Sequence, residues 1–352
     1  MLLQRHYIKE FFKLWAIMAL GVGAVLALFD FMKAMEIMGK SDPTSAQLVM
    51  YVLFRYPSQV LDIMPVATLM SALFTVGQAS RHRELVVVMA AGGRLRRLFM
   101  PFVLTGALLT VFGFLMTEVI VPYGSTRAQD IKREVRGDLP VFSIGGVTWI
   151  RCTDGSLARF ELYDEPGGTI QGVSIFRPEG GQLREVLMAR SGRFDAAVGW
   201  MLQGVTRLRP REGGYERLAE VPYPFLTTPD MFKEQIWKPH EMSFLQLREY
   251  VRKLREAGFR NQRLTVEMHF KLASPMVNII MVMLGVAFAS RRTMGGLMAT
   301  AAGLGITVLY WVGLTFSQSM GYAGVLPPPV AAWAMPACFL ALALWLYTRI
   351  PE

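Results

Sequence analysis

Cysteine is almost missing from this chain of 352 residues, which has only Cys152 and Cys338. The first sits among strand-like segments and the second inside a long apolar run, so no disulfide between them is expected to staple the fold. Histidine is nearly as scarce. His6, His82, His240 and His269 are scattered with no metal-ligand spacing, which removes the usual sequence signature of a zinc site. A phosphate-binding loop is missing too. Gly39-Lys40-Ser41 resembles the tail of one, but Ala34 stands where the earlier glycine is required. With no catalytic signature in view, the chain is not expected to be an enzyme by itself.

Charge is missing from long blocks, and those blocks give the architecture. Lys13 and Asp30 bracket 16 uncharged residues, Asp62 and Arg81 bracket 18, Arg97 and Glu118 bracket 20, and Lys271 and Arg291 bracket 19. Between Thr293 and Thr348 there are 56 positions without a charge. A bilayer core is crossed by about 20 helical residues, so that last block is long enough for two crossings. Gly321, Gly324 and the run Pro327-Pro328-Pro329 are the natural place to divide it. Six membrane-spanning helices are predicted, three before and three after a polar insert. The expected spans run from about 14 to 31, 63 to 80, 98 to 121, 272 to 290, 296 to 318 and 330 to 347. Residues 1–121 form the first membrane part, 122–265 the insert with its helical connectors, and 266–352 the second membrane part.

The basic start before an apolar run could be taken for a signal peptide. The run is long for that role, however, and no small-x-small cleavage site precedes Lys33, so a retained anchor is expected. Carboxylates in mid-span are what proton-driven transport would use. Asp30, Asp62 and Glu118 all fall at span ends, which argues against it. The 23 methionines, mostly within spans, are expected to fill gaps in the packing.

The formal net charge of +10 does not mark a nucleic-acid binder, because the insert holds 22 Lys and Arg against 18 Asp and Glu. The excess sits instead in the short loops. With the N-terminus inside, Arg5, Lys9, Lys13, Arg81, Arg83, Arg94, Arg96, Arg97, Arg291, Arg292 and Arg349 are cytoplasmic. Only Lys33, Lys40 and Arg55 lie in the short outer loops. Eleven against three satisfies the positive-inside rule and sends the insert outside, into a periplasm-like space.

Within the insert the period changes to two. VTWIRC, LARFELYD, QGVSIFRP, REVLMARSGRF, GWMLQGVTRLRP and YERLAEVPYPF read as strands, several separated by Gly167-Gly168, Gly180-Gly181 and Gly213-Gly214. A sandwich, a jelly roll and an open barrel all fit that spacing. From Ser243 to Ala257 the helical period returns, with Ser243 as N-cap and Gly258 as the stop.

The loop between the second and third spans, near 81–92, reads RHRELVVVMAAG. It can be a basic membrane anchor with one solvated glutamate. It can also be a short coupling helix in which Leu85, Val88 and Met89 present an apolar ridge and Glu84 offers a carboxylate to a partner arginine. Here the sequence resembles the lipopolysaccharide-export permeases of the LptF/LptG (YjgP/YjgQ) family. RELVVVMAAGG is similar to their SELVVMxASG segment, with Arg83 in place of the serine and the carboxylate kept. EVIVPYG at Glu118–Gly124, QGVSIF at Gln171–Phe176, SFLQLREYVRKLREAG at Ser243–Gly258, KLASP at Lys271–Pro275 and GVLPPPVAAWAMP at Gly324–Pro336 agree in order. The likeness covers nearly the whole chain and is greater to the LptG branch than to the LptF branch.

That resemblance implies six spans with an inserted periplasmic β-domain of jelly-roll type, in the bacterial inner membrane with both termini cytoplasmic. It implies a heterodimer with a sister permease, two copies of a cytoplasmic ATPase, a single-span accessory protein and a periplasmic bridge. The substrate is lipopolysaccharide, extracted from the inner membrane, and the first and fifth spans line its lateral gate. No cofactor belongs to this chain; ATP and Mg sit on the partner. Arg83, Glu84, Leu85, Val88, Met89 and Gly92 are then the ATPase-coupling candidates. Lys33, Lys40, Lys132, Arg133 and Arg136 are the candidates for the phosphorylated headgroup, where cations at headgroup depth are needed. Asp30 stands near a position where the family carries a basic residue. The competing readings are a membrane sensor or scaffold with a ligand-binding outer β-domain, the LptF-type sister, and a mechanotransmitting permease, which normally has four spans.

Overall fold

The computed structural model describes residues 2–38, 43–136, 141–144, 147–152, 154–164, 168–179, 182–195, 198–210, 214–226, 242–256, 261–291 and 296–350. Two compact units are present. One comprises Met1–Val135, Pro239–Leu247 and Asn261–Glu352, and the other Arg136–Lys238 with Arg248–Arg260.

The first unit is helical. It contains α1 (Leu2–Met38), α2 (Ser45–Arg81), the short α3 (Glu84–Ala90) and α4 (Leu95–Leu115). A π-helical turn at Met116–Ile120 then leads directly into α5 (Val121–Arg136). After the strands come α6 (Phe244–Glu256), of which only the part to Leu247 belongs to this unit, then α7 (Gln262–Arg291), α8 (Gly296–Tyr322) and α9 (Pro328–Thr348). Six of the helical stretches are long and apolar enough to cross a membrane, as the charge-free blocks predict, and the protein is a multi-pass membrane protein. Several helices outrun their apolar blocks. α2 begins at Ser45 and continues through Pro57 and Pro65, which a membrane helix tolerates when neighbours satisfy the freed backbone groups.

Burial separates the spans into two kinds. The most apolar window of α2 is 67% buried and that of α7 is 72% buried, against 11% for α1 and 28% each for α8 and α9. Small residues let the inner helices approach. A Cβ added to Gly285 of α7 would stand 2.7 Å from Ala72 Cβ and 3.0 Å from the Leu69 carbonyl oxygen of α2, and close backbone approach of this kind is what holds membrane helices together. A polar seam runs through the same core. Trp15 of α1 donates its ring N–H to Thr68 (3.1 Å), and the Thr68 hydroxyl reaches Asn278 Oδ1 at 3.4 Å. At one end of this bundle Asp30 of α1 accepts Gln59 Nε2 at 2.6 Å and pairs with Arg55 Nε at 3.3 Å, both from α2.

The second unit is built on one antiparallel sheet of eight strands: β1 (Val141–Ile144), β2 (Val147–Arg151), β3 (Leu157–Phe160), β4 (Leu162–Asp164), β5 (Thr169–Glu179), β6 (Gln182–Asp195), β7 (Gly199–Arg209) and β8 (Gly214–Tyr223). The order follows the sequence, except that β3 and β4 both pair with β5. The long strands crease. Gly172 of β5 and Gly204 of β7 both have φ of +62°, a conformation glycine adopts without a Cβ clash. Burial changes phase there. Ile170 is buried on one side of Gly172 and Val173 and Ile175 on the other; in β7 the buried set is Trp200, Leu202 and then Val205. The shift keeps both halves of each strand facing one apolar cluster, so a single sheet encloses a core.

A polar knot meets that core at Tyr223, with Tyr223 and Ser156 buried and Asp154 and Arg177 partly exposed. Asp154 accepts hydrogen bonds from the Ser156 backbone N–H (3.0 Å), the Ser156 hydroxyl (2.6 Å), the Tyr223 hydroxyl (3.0 Å) and Arg177 Nη2 (3.2 Å). Arg177 also pairs with Glu185 at 3.0 Å, and Arg207 approaches the same carboxylate at 2.8 Å. Burial pushes the Asp154 pKa up. The hydrogen bonds from Ser156, Tyr223 and Arg177 outweigh it and hold the carboxyl below its ordinary value.

Candidate functional site

The loop between α2 and α4 is built from a turn, a two-turn helix and a glycine stop. Arg83, the N-cap of α3, has φ of 59°, a left-handed conformation that costs a non-glycine residue about 1–2 kcal/mol. It turns the chain sharply out of α2. At the other end the Gly93 N–H bonds the Val88 carbonyl at 2.8 Å, and Gly92 has φ of 74°. A Cβ on Gly93 would meet Val88 Cγ1 at 2.7 Å, which is why a glycine pair ends this helix.

The loop and the start of α4 are tied to the first and last membrane helices. The Tyr7 hydroxyl of α1 donates to Glu84 Oε2 at 2.6 Å. Gln4 Nε2 donates to the Arg97 carbonyl at 3.1 Å, Arg96 Nη2 to the Thr348 carbonyl at 2.5 Å, and the Tyr347 hydroxyl to the Arg96 carbonyl at 3.2 Å. Tyr7, Leu85, Leu95, Leu98 and Phe99 share one buried apolar cluster. This placement corrects the expected ridge. Leu85 is 3% exposed and faces this chain's own core, and Val88 packs against the same cluster. Val86 (55% exposed), Val87 (66%) and Met89 (37%) turn outward. Arg83 and Gly92 are exposed, and Glu84 is half-buried between the two sides.

The cationic candidates lie at the other ends of the spans. Lys33 is exposed near the end of α1, and Lys132 and Arg133 are half-buried on α5. Their segments meet: Ala34 and Met38 of α1, Leu48 and Tyr51 of α2 and Ala128 of α5 form one buried cluster. Arg133 pairs loosely with Asp130 at 3.9 Å. Lys40 and the side chain of Arg136 lie outside the described residues. Asp30, standing where a cation was expected, is neutralised by Arg55, whose Nη1 also donates to the Tyr51 hydroxyl at 3.1 Å.

Sequence reading missed two further arrangements. Glu118, on the π-helical turn, accepts the backbone N–H groups of Phe244 (2.9 Å) and Leu245 (3.2 Å) and so caps α6. Ser243 and Gln246 complete the cap reciprocally. The other is the Tyr7–Glu84 bond. Both join residues far apart in sequence, where no local pattern points to the partner. Among the described residues, no cluster of His, Cys, Asp and Glu is placed to hold a metal ion.

Comparison with known proteins places this geometry. The lipopolysaccharide export system permease protein LptG of Escherichia coli (strain K12) is 24% identical over 313 residues, covering 85% of both chains. The protein of the same name from Haemophilus influenzae is 22% identical over 334 residues, covering 92% of this chain and 91% of its own. The family model described as lipopolysaccharide export system permease LptF/LptG matches residues 5–349, and with so little of its length outside that match the chain belongs to this family.

Proposed function

We propose that this chain is the LptG-type permease subunit of an ABC transporter that extracts lipopolysaccharide from the inner membrane and passes it to a periplasmic bridge. The observation that carries the reading is the family match over residues 5–349, with the relatives named LptG next to it. The α3 loop gives it a mechanism. Val86, Val87 and Met89 form an outward apolar row, and Glu84 brings the loop's carboxylate beside it. A groove on a cytoplasmic ATPase would take the row, and an arginine of that subunit would pair with Glu84. ATP and Mg belong to that partner.

Orientation follows from charge. With the α3 loop and both termini in the cytoplasm, eleven basic residues in short loops lie inside against three outside. The β-unit then stands in the periplasm. The helices α1 and α8 carry the apolar surface for the lipid and for the sister permease: Leu20, Val25 and Leu28 on α1, and Val308, Leu309 and Phe316 on α8, are exposed. Lys33, exposed on α1, and Lys132 and Arg133, half-buried on α5, are the cations proposed to meet headgroup phosphates, with Arg133 already beside Asp130 at 3.9 Å.

The test is a photocrosslinker at Leu28 or Leu309 in membranes of a strain making lipopolysaccharide, together with purification of the intact complex. Crosslinks to lipopolysaccharide and a co-purifying ATPase are expected. Crosslinks to phospholipid alone, with no ATPase bound, would favour a membrane sensor instead.

A further inference from the structure

The contact of Glu84 with Tyr7 is unusual in where it leads. α3 lies between α2 and α4, yet its single acidic side chain reaches across to the first span. The Tyr7 hydroxyl takes Oε2 at 2.6 Å, and among the described residues Oε1 has no hydrogen-bond partner. Tyr7 is only 4% exposed, so its ring is held by the core while its hydroxyl sits at the loop. One turn further along α1, Phe11 is completely buried and packs edge-on against Phe102 of α4, with ring centroids 5.7 Å apart. The start of α1 is therefore seated in the bundle, and a pull on Tyr7 is a pull on the whole helix.

We infer that Tyr7 is a positioning residue that carries movement of α3 into the first span, its hydroxyl and a partner cation binding opposite oxygens of the Glu84 carboxylate. The inference rests on the proposed ATPase contact at α3 and adds where that contact goes next. A hydrogen bond to a charged group is strong and short, and α3 is a stiff element of seven residues. Displacement of Glu84 by the partner is thus passed to α1 through one bond. Only 11% of the most apolar window of α1 is buried, and its fixed side-chain contacts are with α2, through Trp15–Thr68 and Asp30–Arg55, so movement of α1 is passed on to α2.

The experiment uses the complete transporter in proteoliposomes, with lipopolysaccharide release and ATP hydrolysis measured together. Tyr7→Phe keeps the buried ring and removes only the hydroxyl. It should bind the ATPase at the wild-type stoichiometry and hydrolyse ATP at close to the wild-type rate. Lipid released per ATP should fall about tenfold, the size expected when one hydrogen bond to a charged group is lost from the coupled motion. Glu84→Gln keeps an acceptor for Tyr7 but loses the charge. It should weaken ATPase binding, while the complexes that do form retain their lipid yield per ATP. If Tyr7→Phe releases as much lipid per ATP as the wild type, the transmission role is wrong and the hydroxyl only satisfies the carboxylate. Failure of Tyr7→Phe to assemble also overturns it, because the hydroxyl is then a folding contact. If the wild-type chain binds no ATPase, the proposed function fails first and this inference with it.

Discussion

Removing the Glu118 carboxylate should loosen α6 from its first turn onward. Glu118 accepts two backbone N–H groups, from Phe244 at 2.9 Å and Leu245 at 3.2 Å, which are otherwise orphan donors of the helix start. A neutral N-cap is worth about 1 kcal/mol, and a hydrogen bond to a charged group about 1.5–3 kcal/mol. The Leu245 bond is exposed, and Ser243 still caps the Gln246 N–H at 3.2 Å after the change. Both facts reduce the loss, so Glu118→Ala should weaken the first turn of α6 by about 1.5–2 kcal/mol. In hydrogen exchange read by mass spectrometry on the protein in nanodiscs, that is a rise of roughly 10- to 30-fold in the rate for peptides covering Phe244–Tyr250. Glu118→Gln retains one acceptor oxygen without the charge that favours a helix N-terminus, and should fall between the two. Peptides from α7 serve as the control and should not change. If Glu118→Ala exchanges α6 at the wild-type rate, water replaces the carboxylate and the cap contributes nothing.

Two further outcomes follow from packing and charge. Because hydrogen bonding holds Asp154 below its ordinary pKa, its stabilising contribution is complete above the carboxylate range and is lost as pH falls through its own value. Acidification should speed exchange in the β3 peptide Leu157–Phe160, and Asp154→Asn should lower protection at neutral pH and flatten that dependence. Gly285→Leu forces side-chain atoms into Ala72 and the α2 backbone, whereas a Cβ at Gly305 of α8 meets nothing within 4 Å. The first change should destabilise the detergent-solubilised protein by about 1–3 kcal/mol, seen as a lower midpoint of thermal unfolding, and Gly305→Leu should leave that midpoint nearly unchanged.

Much of the membrane architecture is legible in the spacing of charges, because a bilayer penalises a misplaced Lys or Asp wherever it falls. Helix ends are less legible. Pro57 and Pro65 look like breaks in isolation, and only the neighbours packed around α2 show why the helix passes through both. The strands are readable from alternation, and VTWIRC, QGVSIFRP and GWMLQGVTRLRP all become strands. The crease is harder, since a positive φ at Gly172 and Gly204 is set by the sheet around them, and the glycine pairs that attract attention in the sequence stand elsewhere. In the loop between α2 and α4, Leu85-Val86-Val87-Val88 is apolar at every position, so a helix of seven residues has no period from which to choose an inner face. Only contact with Tyr7, Leu95 and Phe99 decides that Leu85 turns inward and Val86 and Val87 turn out.

The Asp30–Arg55 pair bears on how the first two helices enter the bilayer during synthesis. Each residue alone adds a penalty of about 2.5–3.5 kcal/mol if it reaches the bilayer centre, less near the interface. Inserting α1 by itself would leave a bare carboxylate at the edge of its apolar stretch, and α2 by itself a bare guanidinium. Once the two helices lie side by side, Arg55 stands 3.3 Å from Asp30 and Gln59 donates to the same carboxylate at 2.6 Å. Each charge is then answered within a single hairpin. That favours delivery of α1 and α2 by the insertion machinery as one unit, with Asp30 waiting at the membrane surface until Arg55 has emerged from the ribosome.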